Sequence, residues 1–326
     1  MKTEILKLLR ESGEYVSGQQ LCDGFGVSRT AVWKVIDQLK KEGYQIEAVR
    51  NKGYRLTGSP DVMGQAELNS LLHTRWAGKT VVYAEEVDST NTRAKALAEQ
   101  GAPHGTLVVA GSQSAGKGRR GRSWESPAGT SIYMTILLRP EFIPAKAPML
   151  TLVMALSTAE GIISETGLPA QIKWPNDIVV NKKKVCGILT EMNAEIDYIN
   201  YVVTGAGINV NTAGFPEEIA GTATSLYIEG GVPLKRAALA ARIMERYEEN
   251  YETFLETEDL SRLKDKYNRL LVNCGKEVCI LEPGHEYKAV ASGINDTGEL
   301  LVAAADGQER AIFAGEVSVR GVYGYV

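Results

Sequence analysis

Long apolar runs are missing from this chain of 326 residues. None approaches the roughly 20 residues that span a bilayer. Met1-Lys-Thr-Glu-Ile-Leu-Lys7 opens an amphipathic pattern instead of a secretory leader, which predicts a cytoplasmic protein with no membrane partner. The four cysteines, Cys22, Cys186, Cys274 and Cys279, and the three histidines, His73, His104 and His285, are scattered. That spacing argues against a disulfide framework or a structural metal, and the thiols are read as reduced. The glycine-rich stretch 113–124 lacks the ending Gly-Lys-Ser/Thr and no long helix pattern follows it, so it is not a Walker loop. A net charge of -4 argues against indiscriminate nucleic-acid binding but leaves room for a local basic face. What remains is a globular composition, 44% hydrophobic and 23% charged, long enough for two or three domains.

The first segment has helical spacing at Ile5, Leu8 and Leu9, a capping box at Ser17-Gly-Gln-Gln20, and a third helix over 29–41 capped by Ser28. Ala31, Val32, Val35, Ile36 and Leu39 form its apolar face. A hairpin follows, turning at Asn51-Lys-Gly53. Three short helices and a hairpin predict a winged helix-turn-helix over residues 1–59. Its expected DNA contacts are Ser28, Arg29, Thr30 and Lys34 on the third helix and Arg50 and Lys52 on the wing, with a protein-docking module as the alternative. Trp33 is displaced from the apolar face of the third helix; completing the module's core is the alternative to a surface role for it, and it is not read as a base reader.

Gly58-Ser-Pro60 predicts a hinge, beyond which residues 64–270 read as a central α+β domain, a mixed sheet with few flanking helices. From residue 271 the pattern changes to short strands, including Glu309–Phe313 and Glu316–Arg320, separated by glycine-bearing turns. It predicts a small β barrel of about five strands over 271–326.

Three stretches of the central domain carry chemistry. Asp88-Ser-Thr-Asn91 lies where a strand gives way to a helix, a place for hydroxyls and free N–H groups to meet a polar ligand. Gln113-Ser-Ala-Gly-Lys-Gly-Arg-Arg-Gly-Arg-Ser-Trp124 combines Gly116, Gly118 and Gly121 with Lys117, Arg119, Arg120 and Arg122, as a flexible loop closing over an anion would. Lys173-Trp-Pro-Asn-Asp177 sets a lysine at a strand end beside a turn. Together they supply donors for a neutral polar head, cations for phosphates, and a carboxylate, Asp177, able to help hold Mg²⁺.

With Gly205-Ala-Gly-Ile-Asn-Val210, these stretches closely resemble the biotin–protein ligases of the bifunctional class that also represses the biotin operon, and the likeness extends over the whole chain. The resemblance implies a central sheet like those of class II aminoacyl-tRNA synthetases and biotin/lipoate ligases, and an SH3-like terminal barrel. It implies two-step chemistry: ATP with Mg²⁺ and biotin give biotinyl-5′-AMP, and the acyl group passes to a lysine of a biotin carboxyl carrier domain. The adenylate would be both intermediate and corepressor, promoting a homodimer that binds operator DNA.

By the same resemblance, Lys173, Arg119, Arg120 and Arg122 are the catalytic cations. Biotin would meet Ser89, Thr90, Asn91, Gln113, Gly116, Arg119, Arg120, Gly121, Lys173 and Gly187. ATP or the adenylate would meet Arg119, Arg120, Arg122, Trp124, Lys173, Asn176 and Asn209, with Asp177 as the candidate Mg²⁺ ligand. Lys117 stands where the commonest form of the loop has arginine, which keeps the charge but loses bidentate geometry. The alternatives are a lipoate-type ligase or acyltransferase of the same superfamily, and a ligand-sensing repressor without catalysis.

Overall fold

The computed structural model describes residues 1–282, 285–304, 307–313, 318–321 and 325–326. The chain begins with α1 (Lys2–Ser12), α2 (Gly18–Phe25) and α3 (Arg29–Lys41), then the hairpin β1 (Gln45–Val49) and β2 (Gly53–Gly58). The local signals act as their chemistry requires. Ser17 and Gln20 complete a reciprocal capping box on α2, and the Ser28 side chain accepts from Ala31 N–H to start α3. Ile5, Leu6, Leu9, Leu21, Val32, Val35, Ile36, Leu39 and Ile46 then close a core separate from the rest of the protein. Trp33 is not part of it: the indole is 57% exposed, because α3 turns its Val32–Val35–Ile36–Leu39 stripe inward and position 33 falls outside that stripe.

The joint to the rest of the chain is pinned and not an open hinge. Helix α4 (Gln65–Leu71) carries Glu67, only 4% exposed, whose Oε2 accepts from Arg10 Nη2 and the Tyr44 hydroxyl, each at 2.8 Å. Just before it, Asp61 accepts from the Arg236 backbone N–H and Nε, both at 2.9 Å. A buried carboxylate met by a guanidinium and a phenol is costly to break from either side.

The central unit contains β3 (Val81–Val87), α5 (Thr90–Glu99), β4 (Thr106–Gln113), β5 (Ser131–Leu138), α6 (Met149–Thr166), β6 (Gln171–Lys173), β7 (Asp177–Val180), β8 (Lys183–Ala194) and β9 (Ile199–Asn209). The short helices α7 (Glu217–Ala220) and α8 (Leu226–Gly230) follow, then α9 (Arg236–Leu255) and α10 (Lys264–Leu270). Its seven strands run in the order β3-β4-β5-β9-β8-β7-β6, with β3–β4 parallel and the other pairs antiparallel. Alternate residues face opposite layers. Val108, Leu137 and Val203 pack with Ala94 and Ala98 of α5, while Val109, Ile136 and Val202 belong to the core shared by α6 and α9. Residues 144–166 are long and apolar enough to cross a membrane, yet 72% of the apolar window is buried within the protein.

The remaining strands, β10 (Glu277–Glu282), β11 (His285–Ile294), β12 (Leu300–Ala304), β13 (Glu309–Ile312) and β14 (Ser318–Gly321), form an antiparallel sheet ordered β13-β12-β11-β10-β14. The expected SH3-like closure is not seen among the described residues, where β13 and β14 are the two edges. Residues 316 and 317 of the expected last strand lie outside the described residues. Val278, Ile280, Ala291, Leu300 and Val302 share one hydrophobic core with the central unit, so this sheet is packed onto the domain that precedes it. Trp174 joins the two: its Nε1 donates to Gly298 O at 3.0 Å and its backbone N–H to Asn273 Oδ1 at 3.1 Å.

Candidate active site

A cavity of about 540 Å³ opens at the ends of β4, β6, β7 and β9. Its wall contains Ser89, Thr90, Asn91, Gln113, Arg119, Arg120, Arg122, Trp124, Lys173, Asn176, Asp177 and Gly187, so three stretches far apart in sequence meet in one chamber. Gly116, Gly121 and Asn209 are not among its lining residues.

The polar end is built at the start of α5. Gln113 Oε1 accepts from the Thr90 backbone N–H at 2.8 Å and from its hydroxyl at 3.1 Å, while Thr135 Oγ1 donates to Asn91 Oδ1 at 2.7 Å. Asn91 Nδ2 donates to Glu191 Oε2 at 2.8 Å and to Leu189 O at 3.1 Å. The Ser89 side chain makes no helix-capping bond, although the residue is buried at the N-cap, so it does not serve as a simple cap. Burial works to raise the pKa of Glu191, but bonds from Lys95 and Asn91 outweigh it and hold the carboxyl below its ordinary value.

The basic stretch is a hairpin. Trp124 N–H donates to Gly116 O at 2.9 Å and Gly118 N–H to Arg122 O at 2.7 Å, with Arg119–Gly121 as a short 3₁₀ tip. A side chain at Gly116 would place its Cβ 2.3 Å from Trp124 O, so the hairpin's own backbone requires glycine there. Arg119 reaches across to Asn176 Oδ1 at 2.9 Å, tying the tip to the Lys173–Asp177 turn. Burial, and then the neighbouring Arg120 charge, pushes the Arg119 guanidinium below its ordinary pKa. Arg120 and Arg122 remain exposed at the rim.

Trp124 turns inward onto β8 and β9. A Cβ at Gly207 would lie 2.6 Å from its Nε1, and one at Gly187 would lie 3.0 Å from Cζ3. These two glycines are flat because an indole rests on them. Trp124 Nε1 is buried and has no hydrogen-bond partner among the described residues, a donor suited to an acceptor atom inside the cavity.

Lys173 is 6% exposed, with its Nζ over the Tyr325 ring, 4.0 Å from the centroid. Asp177 is also buried, and Oδ1 lies 2.6 Å from Lys184 Nζ and 3.2 Å from Asn176 Nδ2, while Oδ2 accepts from the Tyr325 hydroxyl. Both carboxylate oxygens of Asp177 are thus engaged by donors. Among the described residues, no group of three or more His, Cys, Asp or Glu could hold a metal. Asn209 Nδ2 donates to Thr224 O at 3.1 Å, fastening the loop after β9. Cys186 is fully buried, which pushes its thiol up and leaves no nucleophile there.

Three residues of the site escaped the sequence reading. Lys184 belongs to a lysine run that reads as a solvated turn, Glu191 lies far along β8, and Tyr325 follows the last strand. Only the Gly205–Gly207 pair carried a sequence signal, the close approach now seen to be made by Asn91 and Trp124.

Across the central unit, residues 83–209 match the biotin/lipoate A/B protein ligase family. Residues 2–55 match a helix-turn-helix domain family and 274–320 the biotin protein ligase C-terminal domain. Among solved structures, the chain is similar to biotin protein ligase from Aquifex aeolicus in complex with biotin and ATP, at 33% identity and a TM-score of 0.66, over 74% of this chain and 99% of that one. A ligase fold with a cationic lid over a polar cavity is the class thus defined. Over its full length, the chain is 38% identical to the bifunctional ligase/repressor BirA of Bacillus subtilis (strain 168), covering 98% of each, and 30% identical to that of Escherichia coli (strain K12), covering 96% of this chain and 95% of the relative. The chain belongs to the family of bifunctional biotin ligase/repressors.

Proposed function

We propose that this protein activates biotin with ATP, transfers it to a lysine of a biotin carboxyl carrier domain, and represses biotin operon genes through its winged helix. The observation that carries the reading is one cavity holding a buried lysine and a partly buried arginine at one end and a neutral hydroxyl–amide set at the other. Such a chamber suits a ligand with an uncharged polar head and a carboxylate tail. Ser89, Thr90, Asn91 and Gln113 are assigned to the head of biotin, with Gly187 beside it.

In the first step a biotin carboxylate oxygen attacks the α-phosphorus, and the bond to pyrophosphate breaks. Two anions must approach, and charge grows on the equatorial phosphoryl oxygens. Lys173 and Arg119 are preplaced to offset both, with Arg120 and Arg122 at the rim over the phosphates, while Asn176 orients Arg119. Mg²⁺ enters with the triphosphate as part of the substrate. Trp124 is assigned to the adenylate, and its free indole N–H to an acceptor there. In the second step the carrier lysine amine attacks the acyl carbonyl and AMP leaves, which requires neither a serine nor a cysteine nucleophile.

Ser28, Arg29, Thr30, Lys34, Arg50 and Lys52 are assigned to operator contacts; all six are exposed on α3 and the wing. Dimerisation through the central sheet is proposed from the exposed apolar side chains at Ile196, which is 94% exposed, and at Tyr198, Met192 and Ile143. The adenylate would favour the dimer as corepressor. Substrates such as ATP, a carrier domain and operator DNA fit a cytoplasmic location.

The test is single-turnover formation of the acyl-adenylate from ATP with either biotin or lipoate. Biotinyl-5′-AMP is expected, and lipoyl-AMP alone would overturn the substrate. Sedimentation with and without biotin and ATP checks the dimer, where equal association in both states would refute the corepressor role.

A further inference from the structure

Tyr325 stands in the reaction chamber without any part in the chemistry above. It lines the cavity with Lys173 and Asp177. Its ring lies beneath the Lys173 ammonium, 4.0 Å from centroid to Nζ, and its hydroxyl donates to Asp177. Asp177 in turn pairs with Lys184 at 2.6 Å, and Lys184 Nζ sits 5.3 Å from the Trp124 ring centroid. Cations and rings thus alternate from the lid, across β7 and β8, to residue 325.

We infer that Tyr325 is a positioning residue for adenylation: its ring fixes the Lys173 ammonium at the junction of carboxylate and α-phosphate. The inference rests on the assignment of Lys173 to the reacting centre. A lysine is a point charge on a flexible four-carbon stem and needs something to aim it. A carboxylate would aim it but cancel the charge that two substrate anions require. The face of an aromatic ring attracts the ammonium and leaves its charge intact. The same ring covers one side of a buried cation, so it also shields the acyl-adenylate carbonyl from water, whose attack would release biotin and AMP.

The test compares the full-length protein with its Tyr325→Phe and Tyr325→Ala variants, with biotin and ATP·Mg²⁺ as probes. It measures the rate of adenylate formation, the KM for biotin, and AMP release in the absence of carrier. Tyr325→Ala is expected to slow adenylate formation by about 10–100-fold, as misplacement of a catalytic group does. The biotin KM should change by less than about threefold, since uniform binding is not what is lost. AMP release from preformed adenylate should quicken. Tyr325→Phe keeps the ring and should form adenylate within about threefold of the parent rate, which separates positioning from misfolding. A Tyr325→Ala variant with the parent rate, or a Tyr325→Phe variant as slow as Tyr325→Ala, would overturn the inference. Failure of the parent protein to form adenylate from biotin would instead overturn the substrate reading, and this inference with it.

Discussion

The winged helix and the ligase chamber are both proposed to hold phosphates, and they deploy cations in opposite ways. On α3 and the wing, Arg29, Lys34, Arg50 and Lys52 are exposed, whereas the chamber buries Lys173 and half-buries Arg119. Exposed cations are screened by salt and act as a sum, each contributing little. Buried ones act in low dielectric, need neighbours to hold them, and each carries a large part of the effect. Glu67 links the two regions as the carboxylate that ties α1 and Tyr44 to α4.

The largest expected loss is therefore in the chamber. Lys173→Ala should lower the adenylation rate by about 10²–10³-fold, comparable to deleting an oxyanion donor, as measured in single turnovers. Glu67→Ala comes next. Removing one side of a buried ion pair costs about 3–5 kcal/mol, and Arg10 is partly solvated, so about 3 kcal/mol is expected in urea unfolding, with adenylation by the folded protein near normal. If that substitution abolished adenylation in protein that is still folded, the two regions could not be treated as separable.

Arg119→Ala should slow adenylation by about tenfold to a hundredfold, less than Lys173 because Arg120 and Arg122 remain at the rim. Smaller still are the effects of the exposed cations of α3 and the wing. Each of Lys34→Ala, Arg50→Ala and Lys52→Ala should weaken operator binding severalfold and lower the salt slope by about one unit without touching adenylation. A single substitution among these exposed cations that cost as much as Lys173 would break the comparison.

The smallest effect concerns pH. The folded-state pKa of Glu191 is depressed, so its clamp on Asn91 and Lys95 is fully present above the unfolded value of about 4.3 and is lost as pH falls through the folded one. Thermal melts should show Glu191→Gln lowering stability at neutral pH by about 1 kcal/mol, with the difference shrinking toward acid.

Much of the local structure was legible because it depends on near neighbours. The Ser17–Gln20 box, the Ser28 cap and the apolar stripe of α3 are statements about residues three or four apart, and they hold. The chamber was legible through stretches dense in unusual residues. Lys184, Glu191 and Tyr325 were not, since their partnerships are set by the β7–β8 register and by the packing of the terminal sheet. Which of Lys182, Lys183 and Lys184 reaches Asp177 depends on a register shift between Ile178 and Val179, which no periodicity reveals. Asn209 and Gly116 show the converse: residues inside a telling motif are taken up by backbone needs of their own. Trp33 shows that an aromatic off the apolar stripe stays outside.

The central claim, that the buried cations serve biotin transfer, is tested most directly by intact mass of a carrier domain incubated with this protein, ATP, Mg²⁺ and biotin. One lysine should gain a biotinyl group, rapidly with the parent protein and far more slowly with Lys173→Ala. No gain with biotin, together with a gain from lipoate, would contradict it.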